Sequence, residues 1–367
     1  MLRRILWFFN ICCCGLSAQE SDQFSNSLDV QYYYGSFLVH NKNVAHLAVD
    51  QPQGAILSYN FATDGSKRWH HEYNRPDWGL SFLYVDFGNP VLGRNYGLYG
   101  HYNFYFLNRR LQLRLGQGVA YNTNPFDLDT NFKNISYGSH LLASTYLWMN
   151  YVQPEILPSL GMQAGLGFIH HSSGSVKTPN SGSNVLSFNL GVKYNLENTG
   201  ETGLSAEVES NYDPISEPIR YNFVVRGGVN ESDFFNLGQH PFWVISAFVD
   251  KRLSYKHTLQ LGVDAFFALF LKKEIEFVSV AFPNRGITGD EDFKRFAIFG
   301  GHEFRLGHLG IVTQLGYYFY WPYEYESRVY SRAGLKYYFS DVIYGVSTVK
   351  SHAFNAEAIE FGVGIRI

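Results

Sequence analysis

Between residues 184 and 195 the chain sets Leu186, Phe188, Leu190, Val192 and Tyr194 against Ser187, Asn189, Gly191 and Lys193 in strict alternation. The pattern returns at Ile359, Phe361, Val363, Ile365 and Ile367 against Glu360, Gly362, Gly364 and Arg366. It returns again at Val329, Ala333, Leu335, Tyr337 and Phe339 against Arg328, Tyr330, Arg332, Gly334 and Lys336. Successive side chains of a strand point to opposite faces, so each run has one apolar face and one polar or glycine face. The runs are about ten to thirteen residues long, close to what a tilted strand needs to cross a bilayer. A soluble sandwich also alternates, but its strands are usually shorter and its apolar face points inward. No segment beyond the amino terminus approaches the roughly 20 apolar residues of a spanning helix. In hydrocarbon every backbone polar group must be paired internally, which leaves helices and closed barrels as the only spanning forms. The sequence therefore predicts an all-β, antiparallel transmembrane β-barrel. Its 27 Tyr and 31 Phe suit the aromatic girdles of such a wall.

Candidate strands fall near residues 27–36, 53–62, 78–87, 95–106, 111–122, 141–153, 159–171 and 184–195. A second set falls near 219–229, 241–252, 257–271, 293–306, 309–321, 327–339, 341–349 and 356–367. The count is about sixteen, with fourteen as an alternative. One large barrel fits it, and so does an eight-stranded barrel followed by a second β unit. Bacterial barrels have short periplasmic turns and longer outer loops. The short turns at 107–110, 153–157, 306–309 and 340–341 all have the parity of the periplasmic side, which puts 123–140, 172–183 and 272–292 outside. Segment 196–218 departs from the rule, because 204–208 looks strand-like within a periplasmic connection.

The amino terminus reads as a secretory signal peptide over residues 1–18. Arg3 and Arg4 form its charged region, residues 5–14 its apolar core, and Leu16, Ser17 and Ala18 its cleavage site. Cys12, Cys13 and Cys14 all lie within it, so the remainder of the chain offers no disulfide, thiolate nucleophile or cysteine ligand. Removing Arg3 and Arg4 from the 29 basic residues leaves 27 against 32 acidic ones, a balance of −5. That carries no basic footprint for nucleic acid. The expected organisation is a barrel region with the candidate site over 19–195 and further barrel strands over 196–367.

Strand parity gives residues 167–194, GFIHHSSGSVKTPNSGSNVLSFNLGVKY, a distinct chemical character. Leu160, Met162, Ala164, Leu166 and Phe168 share one face, and continuing the period adds His170 and Ser172 to it while His171 turns inward. On the following strand Asn184 has the parity of Leu186 and Phe188. Three polar groups are thus predicted on the lipid-facing side of two neighbouring strands at the outer rim. Head groups there tolerate polar side chains, which is the bland reading. The chemical one is that a serine hydroxyl becomes nucleophilic when an adjacent imidazole takes its proton, and the imidazole works best when a third group orients it.

This stretch resembles the lipid A 3-O-deacylases and their acyloxyacyl hydrolase-like relatives of outer membranes. That family carries His-x-Ser, then a short loop with Pro-Asn and Gly, then an acidic residue opening the last strand of an eight-stranded barrel. Here the stations are His170, His171 and Ser172, then Pro179, Asn180, Ser181 and Gly182, then Asn184. The resemblance implies His170 as general base, Ser172 as nucleophile and Asn180 as an oxyanion donor. Asn184 stands in place of the family acid, and Ser173 where asparagine is usual. An amide can orient a histidine but cannot stabilise imidazolium by charge. The likeness extends over residues 27–195. The stretches GNPVLG (88–93), NPFD (124–127), GSH (138–140) and VKSHAFNAEAIEFGVGIRI (349–367) resemble the larger relatives of Bacteroidetes-type bacteria. It implies an outer-membrane esterase acting on lipid A, lipopolysaccharide or another acylated glycolipid among the outer-membrane lipids, with no metal or cofactor. Asp127 and Asp129 are the next carboxylates to consider for the orienting role.

Other clusters have ordinary readings. In Trp69-His70-His71-Glu72 the two histidines are adjacent and do not share a face, and His40, His46 and His140 read as solvated loop residues. The alternative function class is a non-catalytic barrel, a porin or scaffold. The inward parity of Arg114, Lys193, Arg332, Lys336, Glu360 and Arg366 suits a hydrated lumen of that kind.

Overall fold

The computed structural model describes residues 25–196, 212, 215–234, 236–353 and 355–367. The expected signal peptide and the strand-like stretch at 204–208 lie outside the described residues. Eight strands form a first set: β1 (Ser27–Phe37), β2 (Gln53–Phe61), β3 (Asp77–Asp86), β4 (Arg94–Phe106), β5 (Leu111–Asn122), β6 (Leu141–Leu157), β7 (Leu160–Ser172) and β8 (Ser183–Asn195). Eight more follow: β9 (Arg220–Glu231), β10 (Gln239–Arg252), β11 (His257–Ala268), β12 (Lys294–Leu306), β13 (Leu309–Tyr320), β14 (Val329–Tyr338), β15 (Ile343–His352) and β16 (Asn355–Arg366). Each set pairs in chain order and closes on itself, β8 on β1 and β16 on β9. The sixteen strands are therefore two antiparallel eight-stranded barrels. In the first, closure runs in unbroken register from Ser27 opposite Asn195 to Phe37 opposite Val185. That closure leaves the first sheet without an unpaired edge, as a lipid-exposed wall requires, whereas in the second β16 pairs with β9 only from Phe361 opposite Gly227 to Arg366 opposite Asn222.

An eight-stranded barrel encloses only enough room for side chains. In the first barrel the Arg114 guanidinium grips Asp29 through two bonds of 2.6 and 3.0 Å, donates to Asn103 Oδ1 at 2.6 Å and to Ser58 Oγ at 2.7 Å. In the second, Arg332 bridges Asp264 at 2.8 Å and Glu360 at 2.6 Å, while Lys336 meets Glu303 at 3.1 Å. Arg366 meets Asp250 at 2.9 Å. The charges expected on the inward face are there. They are buried and paired with opposite charges, so side chains fill the space around them. Leu80, Leu98, Phe188, Leu261, Leu315 and Phe361 stand exposed on the outer walls.

Two elements differ from the sequence reading. The turn expected at 153–157 belongs to β6, which runs on to Leu157 with its register against β7 shifted between Gln153 and Leu157. Pro154 lies in that interval and has no N–H to give the ladder. The run expected at 257–271 stops at Ala268, where helix α2 (Leu269–Ala281) begins, preceded in the chain by the short α1 (Arg68–Glu72). Phe270, Leu271, Glu274, Ile275 and Val278 form the buried side of α2. Their spacing is helical, and they cap the outer mouth of the second barrel beside Phe266 and Tyr323. At the opposite end α1 joins the barrels: Tyr73 packs on Phe304 with ring centroids 5.4 Å apart, and its hydroxyl donates to the Arg305 carbonyl. Circular dichroism of the purified protein in detergent is expected to show a strand-dominated spectrum with a minor helical component. A predominantly helical spectrum would contradict the architecture.

Candidate active site

The last hairpin of the first barrel brings the predicted residues together. His170 lies directly opposite Asn184 in the β7–β8 register. Its Nδ1 and the Asn184 Oδ1 are 2.7 Å apart, so the ring donates to the amide oxygen. The second ring nitrogen, Nε2, is left for another partner. Ser172 follows on the same face at the end of β7, opposite Ala143 of β6, and is 7% exposed. Gly182, at φ +68°, lies against both residues. A Cβ there would stand 3.3 Å from Ser172 Cβ and 3.4 Å from His170 Cε1, so the hydroxyl and the ring border the same small space. No hydrogen bond joins them among the described residues.

Parity separates the two adjacent histidines. His171 points into the first barrel, fully buried with its ring edge-on to Phe87 and with neither nitrogen bonded among the described residues. Below the site on the outer wall, Phe168 is paired with Leu186 across the hairpin, and Leu186 and Phe188 are 47% and 75% exposed. An apolar wall therefore descends from the polar rim, with room for an aliphatic chain beside it.

The loop over 173–182 is fixed by its own side chains, by the first barrel, where Ser181 N donates to the Ile135 carbonyl at 3.1 Å and Gly182 N to the Ser136 carbonyl at 3.0 Å, and by the second barrel. Within it Asn180 Oδ1 accepts from Ser173 Oγ at 2.8 Å and from Gly174 N at 3.1 Å, and Asn180 Nδ2 donates to Ser175 Oγ at 3.3 Å. Across it the second barrel takes hold. Thr178 N donates to Glu231 Oε2 at 2.9 Å, Glu231 N to the Ser175 carbonyl at 3.0 Å, and Gln239 Nε2 to the Val176 carbonyl at 2.6 Å. Ser175 Oγ donates to the Ala356 carbonyl, and Gly174 (φ +60°) sits where a Cβ would strike Ile359.

Of the remaining candidates, Asp127 is turned into its own loop. Its Oδ1 accepts from Asp129 N at 3.0 Å and from Thr130 N and Oγ1 at 2.9 Å, and these bonds hold its carboxyl below the usual carboxylate range. His70 and His71 engage Asp64 and the Gly65 backbone beside them, at 3.1 and 2.5 Å. Burial lowers the His70 pKa, with Asp64 opposing. His140 Nδ1 donates to the Asn122 carbonyl at 2.7 Å, and His46 Nε2 to the Lys133 carbonyl at 2.9 Å. The residue that sequence reasoning missed is His40. Its Nδ1 lies 3.1 Å from Asn184 Nδ2 and its Nε2 2.9 Å from the Ser181 carbonyl.

Fold and rim together define a class: a transmembrane barrel bearing serine, histidine and amide side chains on its lipid-facing outer edge. Residues 53–193 match the family described as lipid A 3-O-deacylase (PagL), and residues 219–367 match the acyloxyacyl hydrolase C-terminal domain. The first match falls within the first barrel and the second within the second barrel, and the chain resides in the outer membrane. Among solved structures, the outer membrane enzyme PagL is 18% identical with a TM-score of 0.28, over 46% of this chain and 99% of that one. The Acinetobacter baumannii outer membrane protein Omp33 is 7% identical with a TM-score of 0.19, over 94% of this chain and 98% of that one. A mutant of the Rh. blastica porin is 8% identical with a TM-score of 0.19, over 94% and 99%. A search of curated proteins finds no match.

Proposed function

We propose that this protein is an esterase that removes an ester-linked acyl chain from lipid A or a similar glycolipid in the outer leaflet. The observation that carries the reading is the 2.7 Å bond from His170 to Asn184 on the lipid-facing side of the hairpin that ends in Ser172. Ser172 is the nucleophile. Its Oγ attacks the ester carbonyl carbon while His170 Nε2 takes the hydroxyl proton. The tetrahedral intermediate collapses, the glycolipid alkoxide leaves with that proton, and water then hydrolyses the acyl-serine by the same route in reverse. Asn184 keeps Nδ1 as the protonated nitrogen, so that Nε2 is the one free to act as base. Asn180 Nδ2 has a second hydrogen beyond the one given to Ser175, and we assign that hydrogen to the developing oxyanion. The acyl chain lies down the wall past Phe168, Leu186 and Phe188, and the sugar stays at the rim.

One residue favours a second reading. With Asn184 where the family has an acid, the chain could be a non-catalytic barrel that keeps the geometry. Mass spectrometry of lipid A separates the two. Cells making the protein are expected to lose the mass of one acyl chain relative to cells without it and to cells making Ser172→Ala. Identical lipid A in all three would leave the scaffold reading standing.

If hydrolysis occurs, Asn184→Glu is expected to raise its rate, because a carboxylate beside imidazolium stabilises charge that develops only in the transition state. A tenfold gain corresponds to about 1.4 kcal/mol. The parent rate in Asn184→Glu, with Ser172→Ala inactive, would mean that another group orients His170.

A further inference from the structure

Asn184 can help His170 only one way round. The amide has an accepting end and a donating end, and the two orientations place opposite ends against the ring. With Oδ1 toward His170, the ring Nδ1–H has an acceptor. With Nδ2 toward it, two donors meet, Nδ1 must give up its hydrogen, and the tautomer that can activate Ser172 is lost. A carboxylate has no wrong end, so the ambiguity is peculiar to a chain that replaced its acid with asparagine.

The polar neighbour at the other end of the amide is His40, in the loop after β1. Its Nε2 lies 2.9 Å from the Ser181 carbonyl, which can only accept, so this nitrogen carries the hydrogen. A neutral imidazole has one hydrogen, and Nδ1 therefore presents a lone pair. That lone pair meets Asn184 Nδ2 at 3.1 Å, and the more distant Leu38 carbonyl, at 3.3 Å, is an acceptor that cannot compete for it. The chain of donors has one consistent direction: His170 Nδ1–H to Asn184 Oδ1, Asn184 Nδ2–H to His40 Nδ1, His40 Nε2–H to Ser181 O. Barrel closure supplies the register, since Phe37 pairs with Val185 and Leu38 N donates to the Asn184 carbonyl at 2.8 Å. Ser181 is itself held, its N–H donating to the Ile135 carbonyl at 3.1 Å.

We propose that His40 is a positioning residue that locks the Asn184 amide with its oxygen toward His170. The role replaces the orientation-independence that a carboxylate would have, and its kinetic part rests on the proposed Ser172–His170 hydrolysis. The test is a double-substitution cycle on the full-length protein in detergent, read in two ways. In the parent background His40→Ala is expected to slow ester hydrolysis about fivefold or more, the scale of one lost hydrogen bond. In the Asn184→Asp background the same change is expected to alter the rate less than twofold, because either carboxylate oxygen can accept from His170. His40→Gln, whose carbonyl can accept from Asn184, should restore most of the rate, whereas His40→Lys, which can only donate, should not. Independently of turnover, the 15N spectrum of the His170 ring reports its tautomer. The Nδ1–H form is expected to dominate in the parent and in His40→Gln, and to lose population in His40→Ala and His40→Lys.

If no variant hydrolyses any acylated glycolipid but the tautomer shifts as stated, the esterase reading fails and the lock stands. If hydrolysis is present and His40→Ala slows it equally with Asn184 or Asp at position 184, or leaves the His170 tautomer unchanged, His40 does not act through the amide and the proposal is overturned. Should His40→Ala fail to assemble, the Gln and Lys variants carry the same comparison.

Discussion

Ser172→Ala is expected to lower ester hydrolysis by roughly 10⁴- to 10⁶-fold, and His170→Ala by a similar factor, because groups that act as one unit fail together when either is removed. The double variant should be no slower than the worse single one. That non-additivity is the signature of a nucleophile and its base, and two independent contributions would instead multiply. His171→Ala makes the contrast. The side chain is buried inside the barrel with no hydrogen-bond partner among the described residues, so its loss should leave the rate within a few-fold of the parent. Rates measured on one esterified glycolipid in detergent decide the matter. Activity that survived His170→Ala and vanished with His171→Ala would put the chemistry on the other face of β7.

The second large effect concerns stability. Arg332 is fully buried between Asp264 and Glu360, at 2.8 and 2.6 Å, and also donates to Gln314 Oε1 at 2.8 Å. Arg332→Ala leaves two carboxylates facing each other, with the Arg226 Nε 3.8 Å from Glu360. Removing one partner of a buried ion pair typically costs about 3–5 kcal/mol, since the remaining charge keeps its desolvation penalty without its compensation. Urea unfolding in lipid or detergent should show a loss of that size. Replacing Arg332, Asp264 and Glu360 together with apolar residues of similar volume should cost much less. A small loss in Arg332→Ala would mean that water or rearranged side chains reach this layer.

Much of this was legible in the alternation alone. Period two gave the strands nearly to their ends, and parity alone separated His170 from His171 and put Asn184 on the same side of the neighbouring strand as His170. What alternation does not carry is closure. A strand's pattern says which face meets lipid but not which strand it pairs with across the gap in the ring, so one barrel and two remained equally consistent. That same gap hid His40. Its loop comes alongside Asn184 only because β8 returns to β1, and no local feature of residues 38–52 points to it. Helix α2 was obscured for a different reason. Phe266, Phe267, Phe270 and Leu271 continue an apolar run across the strand–helix junction, and a short run of that kind does not reveal its own period.

The bonds that cross from the second barrel to the loop at 173–182 share in holding this region rigid. Each ordered loop residue costs roughly 1–2 kcal/mol of backbone conformational entropy, which a hairpin tip normally offsets with contacts from its own two strands. Here part of the compensation comes from Glu231, Gln239 and the carbonyl of Ala356, on three strands that lie far downstream. The first barrel can close on β1 without any of them, because its register involves only its own strands. Its rim is held in part by β9, β10 and β16 and in part by the first barrel's own Ile135 and Ser136 carbonyls. The tip of the hairpin that bears Ser172 thus draws its order from both barrels, while its wall draws on the first alone. The rim of the first barrel is thus a joint product of the two barrels.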